Sequence, residues 1–459
     1  MTLIKSISGL RGTIGGKAGE NLSPLDVVKF SAGYGAWLLE NNEAAKVIIG
    51  RDARPSGASF AQLVSNTLIN QGIDVVDLGL STTPTVEMAV MAEKAQGGII
   101  LTASHNPAGW NAMKLLNEKG EFISGSDGSR VLELSESEVS FVTTQKFGSY
   151  TTHEDYIQYH IEQVLAHELV DTEAIKKANF KVVVDAVNST GGISIVPLLQ
   201  QLGVEVTELY CEPNGNFPHN PEPLPENLQQ ISTELKSGQH HLGIVVDPDV
   251  DRLALLTEDG EPFGEEYTLV AIADYVLTNR KGNTVSNLSS SRALRDITEK
   301  HGCEYTAAAV GEVHVVAKMK ETNAVIGGEG NGGVIVPDLH YGRDALAGVA
   351  LFLSHLSRFG KSASMLRAKY PNYHISKNKI ELTPEINVDD VLAAIKEKYK
   401  SNPINTIDGV KIEFDKEWVQ LRKSNTEPII RIFAESESQS TAEHLAQKLI
   451  LDIKEVISS

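Results

Sequence analysis

Short runs of β-branched and aliphatic residues, each followed by a stretch of helical periodicity, recur along this chain and restrict how it can fold. KVIIG (46–50) precedes SFAQLVSNTLINQG (59–72), and strand character returns at 73–78. KVVVDAV (181–187) precedes GGISIVPLLQQLG (191–203) and then VEVTELY (204–210). HLGIVVD (241–247) and LALLT (253–257) frame a polar turn. Buried β-branched runs alternating with amphipathic helices imply βαβ units around a largely parallel sheet. From about 375 the pattern becomes strand (KIEL), helix (VDDVLAAIKEKYK), three strands (VKIEF, VQLRK, IIRIFAE) and helix (TAEHLAQKLILDIKEV), an α+β layout. No internal repeat is visible in the residues themselves.

A chain of 459 residues accommodates about three or four domains. Polar breaks fall at SYTTHEDY (149–156), at Asp259-Gly260 with the EPFGEE that follows, and at KYPNYHISKNK (369–379). The expected domains are therefore 1–150, 151–258, 259–370 and 371–459. The charge balance, 41 Lys+Arg against 60 Asp+Glu, gives a net −19 that opposes nucleic acid and anionic membranes as partners. Even the apolar run LVAIADYVL (269–277) carries Asp274 and is far shorter than the ~18 residues of a membrane span. The N-terminus has no continuous apolar core and no cleavage signature. Cys211 and Cys303 are too few for a disulfide framework or a four-cysteine zinc site, so a cytoplasmic location is expected. A small anionic substrate remains compatible, provided scattered Arg and Lys converge in one pocket.

The sharpest motif is Asp247-Pro-Asp249-Val-Asp251-Arg252, directly after the apolar GIVV. In an extended segment the three carboxylates share one face, where they repel each other and call for a cation. Hard oxygen ligands suit Mg²⁺ or Ca²⁺; a solvated acidic turn is the other reading. Glu258 stands twelfth from Asp247, as in an EF-hand loop, but the sixth position is Arg252 where that loop needs glycine, and the flanks are β-like. The EF-hand is rejected.

Thr102-Ala-Ser104-His105-Asn106-Pro107 follows the strand-like GGIILT. A serine at a strand end, in a turn closed by Asn-Pro, is well placed to be exposed, although a plain Asx-type turn fits equally. Adjacency of His105 does not make a triad. Lys114 downstream could transfer protons if burial lowers its pKa. Gly327-Gly-Glu329-Gly-Asn331-Gly-Gly333 is dense in glycine; Glu329 and Asn331 would project from a mobile backbone toward sugar hydroxyls, or the segment is a tight hairpin. Arg422 and Arg431 bracket Ser424, Asn425 and Thr426, a set that reads as a phosphate clamp or as a surface turn.

In order, TASHNP, DPDVDR, GEGNGG and RKSNTEP closely resemble the phosphoserine, metal, sugar-specificity and phosphate loops of the α-D-phosphohexomutase superfamily. GLRG (9–12), GRDARPSG (50–57), NGNFPHNPEP (214–223) and VGE (310–312) support the likeness, which covers essentially the whole chain. In appearance it is closest to phosphoglucosamine mutases and phosphomannomutase/phosphoglucomutases. The resemblance implies four domains around a central cleft, three related α/β domains with mixed sheets and a C-terminal α+β domain like the TATA-binding protein. It implies interconversion of hexose 6-phosphate and hexose 1-phosphate, with Ser104 phosphorylated and one Mg²⁺ among Ser104, Asp247, Asp249 and Asp251. A hexose 1,6-bisphosphate would be intermediate and activator. Arg11 and Arg252 would hold charge near the reacting group, and Lys114 would transfer the proton, with His105 second, as an orienting group. Glu329 and Asn331 would bind ring hydroxyls, while Arg422, Ser424, Asn425, Thr426 and Arg431 would grip the distal phosphate. Substrate would favour closure by a hinge near 369–379. A homodimer is compatible with the resemblance.

Two departures stand out. Where many members end the sugar loop in Ser-Gly-His, this chain has Asn331-Gly332-Gly333, so a loop histidine is missing and His314 or His340 is the available substitute. Where many carry Lys or Arg two residues after the VG glycine, this chain has Val313. The asparagine resembles that of phosphoacetylglucosamine mutases, which favours glucosamine phosphate as substrate over glucose and mannose phosphates. A catalytically silent sugar-phosphate binder would carry a damaged serine or metal loop, and a hydrolase would not need the second phosphate clamp.

Overall fold

The computed structural model describes residues 2–6, 9–383, 386–423 and 429–458. They form four sheets of seven, four, four and five strands. The first three share one four-strand unit. In the first, Lys46–Arg51 runs parallel to both Asp74–Leu80 and Gly97–Leu101, and the last of these pairs antiparallel with Trp110–Leu116. In the second, Lys181–Asp185 runs parallel to Glu205–Leu209 and Leu242–Val246, and Leu242–Val246 pairs antiparallel with Leu253–Thr257. In the third, Thr284–Asn287 runs parallel to Tyr305–Ala308 and Ile326–Glu329, and Ile326–Glu329 pairs antiparallel with Gly333–Ile335. The sheets are thus mixed rather than largely parallel. The link after each third strand is too short for a crossover, so the chain must return antiparallel.

That short return has a consequence for the site. TASHNP, DPDVDR and the tip of GEGNGG each occupy the link between the third and fourth strands of their unit, the same topological position three times. The repeat is one of architecture, invisible in the residues because each link carries different chemistry. In the third unit the strand Thr284–Asn287 (TVSN) is polar yet fully buried; Thr284 Oγ1 lies 2.7 Å from Thr298 Oγ1, and Ser286 Oγ 3.0 Å from Tyr305 OH. A buried polar strand satisfied by side-chain hydrogen bonds carries no apolar signal.

One apolar core runs through the second and third units, from Val182 and Ile195 to Ile272 and Phe352. Its centre is the helix Ala345–Phe359, apolar nearly all round and packed against the helices Tyr156–Ala166, Thr172–Ala178 and Glu265–Asn279. The fourth sheet is wholly antiparallel, in the spatial order His374–Glu381, Ile429–Ser436, Trp418–Lys423, Val410–Glu413, Ile404–Asn405. The helices Val388–Lys398 and Gln439–Ser458 pack on it. Toward the third unit, Lys411 Nζ donates to Leu288 O (2.8 Å) and Arg292 N donates to Glu435 Oε1 (3.0 Å). At the link into this sheet, Tyr267 OH donates to Pro371 O (2.7 Å) and accepts from Tyr373 N (2.8 Å). Among the described residues no helix is long and apolar enough to cross a membrane.

Candidate active site

Ser104 has a left-handed backbone, φ 49°, uncommon for a residue with a Cβ. Its loop is held in that shape from below. Ser104 N donates to Thr102 Oγ1 (2.9 Å), and Thr102 Oγ1 donates to Asp52 Oδ2 (2.6 Å). Asp52 also accepts from Arg54 Nε (2.8 Å). The fully buried Arg54 guanidinium donates to the carbonyls of Ser104, Asn106 (2.7 Å), Pro107 (2.7 Å) and Trp110 (3.1 Å), with the Phe217 ring 5.1 Å away. Ser104 is not exposed, as the turn suggested, but 7% accessible at the wall of a cavity.

Its hydroxyl donates to Asp247 Oδ2 at 2.7 Å. Asp247, Asp249 and Asp251 are fully buried, and one carboxylate oxygen from each lies within 4.8 Å of the others. Extension is not what brings them together. The loop turns tightly, with Val250 N donating to Asp247 O (3.1 Å) and Val250 at φ 63°, a strained value for a β-branched residue. The strain is held by packing, since Val250 is fully buried and its carbonyl accepts from Ala345 N (3.2 Å). Among the described residues, Asp249 Oδ1 and Asp251 Oδ1 have no hydrogen-bond donor. Burial first, then repulsion from Asp251 and Asp249, raises the Asp247 carboxyl well above its ordinary value. Three convergent carboxylates with free oxygens beside a serine hydroxyl fit a divalent cation with a taste for hard oxygen donors.

Four cations line the same cavity of about 390 Å³: Arg11, Lys114, Arg252 and Arg343, together with Ser104 and His105. Arg11 Nη1 reaches Asn106 Oδ1 at 3.4 Å. Arg252 Nη1 lies 3.8 Å from Glu222 Oε1, in the NGNFPHNPEP segment. Lys114 Nζ donates to Asp249 Oδ2 (2.7 Å) and faces Asp251 Oδ2 (3.4 Å). The condition set for Lys114 as a proton-transfer group, a pKa lowered by burial, is not met. Burial does act to lower Lys114, but Asp249 and Asp251 outweigh it and the net shift is upward. His105 goes the other way: burial, then Arg252, pushes it down to about 3, so it stays neutral with Nδ1 unpartnered.

Arg343 had no signal in the sequence reading and is central in the structure. Its Nη2 donates to Asp251 Oδ2 (2.7 Å), Nε to Glu312 Oε2 (2.9 Å) and Nη1 to Glu329 Oε2 (2.9 Å). Glu329 is therefore not on a mobile backbone. It ends the strand Ile326–Glu329, is 5% exposed, and accepts also from Asn287 Nδ2 (2.9 Å). The hairpin reading is met, since Ile326–Glu329 pairs antiparallel with Gly333–Ile335, and Gly332 O accepts from Leu253 N (3.0 Å), which ties this hairpin to the strand after the Asp247–Asp251 loop. Asn331 Oδ1 accepts from Gly333 N (3.2 Å).

Beyond Glu329 lies a second cavity of about 170 Å³, lined among others by Glu266, Asn331, Lys377, Arg422 and Arg431. Arg422 and Arg431 are directly opposed across neighbouring strands, and Lys379 opposes Arg431 on the other side. Like charges in register are unfavourable unless an anion or carboxylate compensates. Asp408 supplies part of that, accepting from Arg422 Nε (3.0 Å) and from Val310 N (3.0 Å). Ser424, Asn425 and Thr426 lie outside the described residues. Neither substitute histidine reaches these cavities: His314 is exposed, and His340 is buried in a separate cluster with His160 and Asp344.

Comparison with known proteins agrees with this architecture. Family profiles described as phosphoglucomutase/phosphomannomutase alpha/beta/alpha domains I, II and III match residues 4–140, 154–260 and 264–373, and the C-terminal domain profile matches 379–451. A phosphoglucomutase/phosphomannomutase of Thermococcus kodakarensis is 36% identical over 438 residues, covering 94% of this chain and 96% of that one. A probable phosphoglucosamine mutase of Methanopyrus kandleri is 31% identical, covering 96% of each. The crystal structure of a phosphoglucomutase/phosphomannomutase family protein from Burkholderia thailandensis superposes with a TM-score of 0.86 at 27% identity, over 98% of this chain and 97% of that one. With all four domain profiles matched in order, the chain belongs to the phosphoglucomutase/phosphomannomutase family of phosphohexomutases.

Proposed function

We propose that the chain interconverts hexosamine 6-phosphate and 1-phosphate, glucosamine phosphate in particular, through a phosphorylated Ser104. The observation that carries the serine assignment is the 2.7 Å hydrogen bond from Ser104 Oγ to Asp247, inside a ring of four cations. In the forward step the P–Oγ bond of phosphoserine breaks as a sugar hydroxyl oxygen bonds to phosphorus, and the proton that hydroxyl loses ends on the freed Ser104 Oγ. The resulting 1,6-bisphosphate turns end for end. The opposite P–O bond then breaks, Ser104 regains the phosphoryl group and the freed sugar oxygen takes up a proton. Arg11, Lys114 and Arg252 would hold the charge on the transferring oxygens, and neutral His105 would orient the acceptor. Asp247, Asp249, Asp251 and Ser104 would hold Mg²⁺, which when bound neutralises charge on the phosphoryl group.

In the second cavity Arg422 and Arg431 would grip the phosphate that is not reacting, with Ser424, Asn425 and Thr426 completing the loop. Glu329 and Asn331 would face ring hydroxyls. Glu266 favours the aminosugar. It forms no ion pair among the described residues, accepts only from Ser291 N (2.8 Å), and burial raises it well above its ordinary value. Lys377, which shares the cavity, is paired with Glu265 (2.7 Å), so a 2-ammonium group would be the direct partner of this carboxyl. The identity with the Thermococcus phosphoglucomutase/phosphomannomutase favours a second reading, in which glucose and mannose phosphates are the substrates.

Phosphorus NMR with Mg²⁺, a trace of hexose 1,6-bisphosphate and glucosamine, glucose or mannose 6-phosphate tests both. Fastest appearance of glucosamine 1-phosphate supports the first reading; faster glucose or mannose turnover moves the assignment to the second. Undiminished turnover by Ser104→Ala would sink the phosphoserine.

A further inference from the structure

Behind the metal loop, outside both cavities, the structure buries a second set of metal-ligating side chains. His160 comes from the helix Tyr156–Ala166, Glu87 and Thr85 from the helix Thr83–Ala92, and His340 and Asp344 from the link before the helix Ala345–Phe359. The side chains of His160, Asp344, His340 and Glu87 are at most 2% exposed. His160 Nε2 and His340 Nε2 lie 2.9 and 3.2 Å from Asp344 Oδ2, and one ligand atom from each of the three lies within 4.8 Å of the others.

Each imidazole also faces an oxygen on its far side, through a hydrogen bond for His160 and an ion contact for His340. His160 Nδ1 is 3.0 Å from Thr85 Oγ1, and His340 Nδ1 is 3.0 Å from Glu87 Oε2. Two imidazoles that turn Nε2 inward and Nδ1 toward an oxygen are the arrangement in which histidine binds zinc, the outer oxygen fixing the tautomer. At zinc–ligand distances of about 2.0–2.2 Å, neighbouring tetrahedral ligands stand about 3.3 Å apart, so a shift of a few tenths of an ångström from these contacts would admit the ion. Asp344 Oδ1 is already engaged, accepting from Leu346 N (2.8 Å) and Ala347 N (3.2 Å) at the helix start, which leaves Oδ2 facing the histidines.

Charge is compatible with that geometry. Two buried carboxylates, Glu87 and Asp344, face two imidazoles, and among the described residues neither Glu87 oxygen has a well-aligned hydrogen-bond donor. A divalent cation with two neutral imidazoles balances both carboxylates.

We propose that His160, His340 and Asp344 bind a zinc-class divalent cation, with Glu87 and Thr85 orienting the two histidines. The ion is structural: its ligands come from the second and third units, with Thr85 and Glu87 of the first beside them, behind the loop of Asp247, Asp249 and Asp251. Thr83, on the helix of Thr85 and Glu87, donates to Asp249 Oδ2 (2.5 Å), and Ala345 N, next to Asp344, donates to Val250 O (3.2 Å). Clamping both helix starts would hold the metal loop in its strained shape. Nitrogen plus carboxylate ligands distinguish this site from the all-oxygen triad.

The test is elemental analysis of the full chain grown with added zinc and dialysed against Mg²⁺ alone. One equivalent of zinc per chain is expected, kept by Asp249→Asn and lost in His160→Gln and His340→Gln. Chain grown with cobalt should show the intense visible bands of a four-coordinate ion, a reading that needs no variant. Absence of both zinc and cobalt bands from the wild-type chain overturns the proposal and leaves a proton-bridged hydrogen-bond network. Stoichiometric zinc unaffected by either histidine substitution overturns it as well.

Discussion

Arg343 Nη2 donates to Asp251 Oδ2 at 2.7 Å, and the same guanidinium reaches Glu329, linking the Asp247–Asp251 loop to the glycine-rich hairpin. The same side chain holds Glu312 and Glu329, so three buried carboxylates from three segments depend on it. Burial alone would lower the arginine, but Asp251, Glu312 and Glu329 raise it well above its ordinary value and keep it charged.

Arg343→Lys should be severe despite keeping the charge, because an ammonium cannot bridge three carboxylates in a plane. Leaving buried carboxylates unpaired costs about 3–5 kcal/mol. Mutase turnover should fall by at least ~100-fold, and the thermal midpoint should drop by several degrees. Near wild-type turnover would mean that Asp251 and Glu329 position themselves.

Arg54→Met should act on Ser104 without touching substrate. It removes charged hydrogen bonds to four carbonyls of the serine loop, each worth about 1.5–3 kcal/mol. The left-handed Ser104 then relaxes. Phosphoryl transfer should fall ~100-fold with KM little changed, measured by steady-state kinetics and by the fraction of chain carrying phosphate in intact mass spectra.

Glu266 links sequence economy to specificity. A Cβ on Gly330 would sit 2.0 Å from Glu266 Oε2, so the sugar loop needs glycine there because the carboxyl occupies its space. Gly330→Ala should depress turnover of every sugar, and pairing it with Glu266→Ala should restore much of it for glucose 6-phosphate but not for glucosamine 6-phosphate. Glu266→Gln alone should lower kcat/KM for glucosamine 6-phosphate by ~10–100-fold while sparing glucose 6-phosphate. Equal losses on both sugars would remove the ammonium contact.

Lys411 gives a pH signature at the junction of the third and fourth units. Burial pushes it down to about 8 from the ordinary 10.5, with its Nζ over the Trp418 ring at 3.9 Å. Between these values the unfolded chain binds more protons than the folded one, so this group makes stability rise with pH, from about 8 up to 10.5. The span corresponds to about 3 kcal/mol at most. Denaturant unfolding of wild type and Lys411→Met from pH 7 to 10.5 should diverge in slope over that window. Parallel curves would show that Lys411 is not desolvated in solution.

Much of the architecture is legible in the residues. GIVV, KVVVD and KVIIG are strands because their β-branched side chains are buried on both faces, and the helices between them follow from periodicity. TVSN fails that test: its buried hydroxyls are satisfied by partners far along the chain, which no local pattern reports. The serine and metal loops were found from their unusual density of polar residues at strand ends. Their shapes were not, because the left-handed Ser104 and Val250 are held by Arg54 and Ala345 from other segments. Lys114 lines the same cavity as Ser104, but the condition for its proton transfer, a pKa lowered by burial, is not met, because two aspartate partners 135 and 137 residues away decide the sign.

By itself the sequence determined the alternation of strands and helices, the order of four loops and the chemical type each carries, since all of these rest on residues within one or two turns of each other. Only the tertiary structure decided which charges meet. It set Arg343 against Asp251, opposed Arg422 to Arg431, and moved His340 away from the cleft into a buried cluster with Asp344 and Glu87. Electrostatic pairing falls off over a few ångströms, and proximity on that scale between distant segments is fixed by how the domains pack, not by their spacing along the chain.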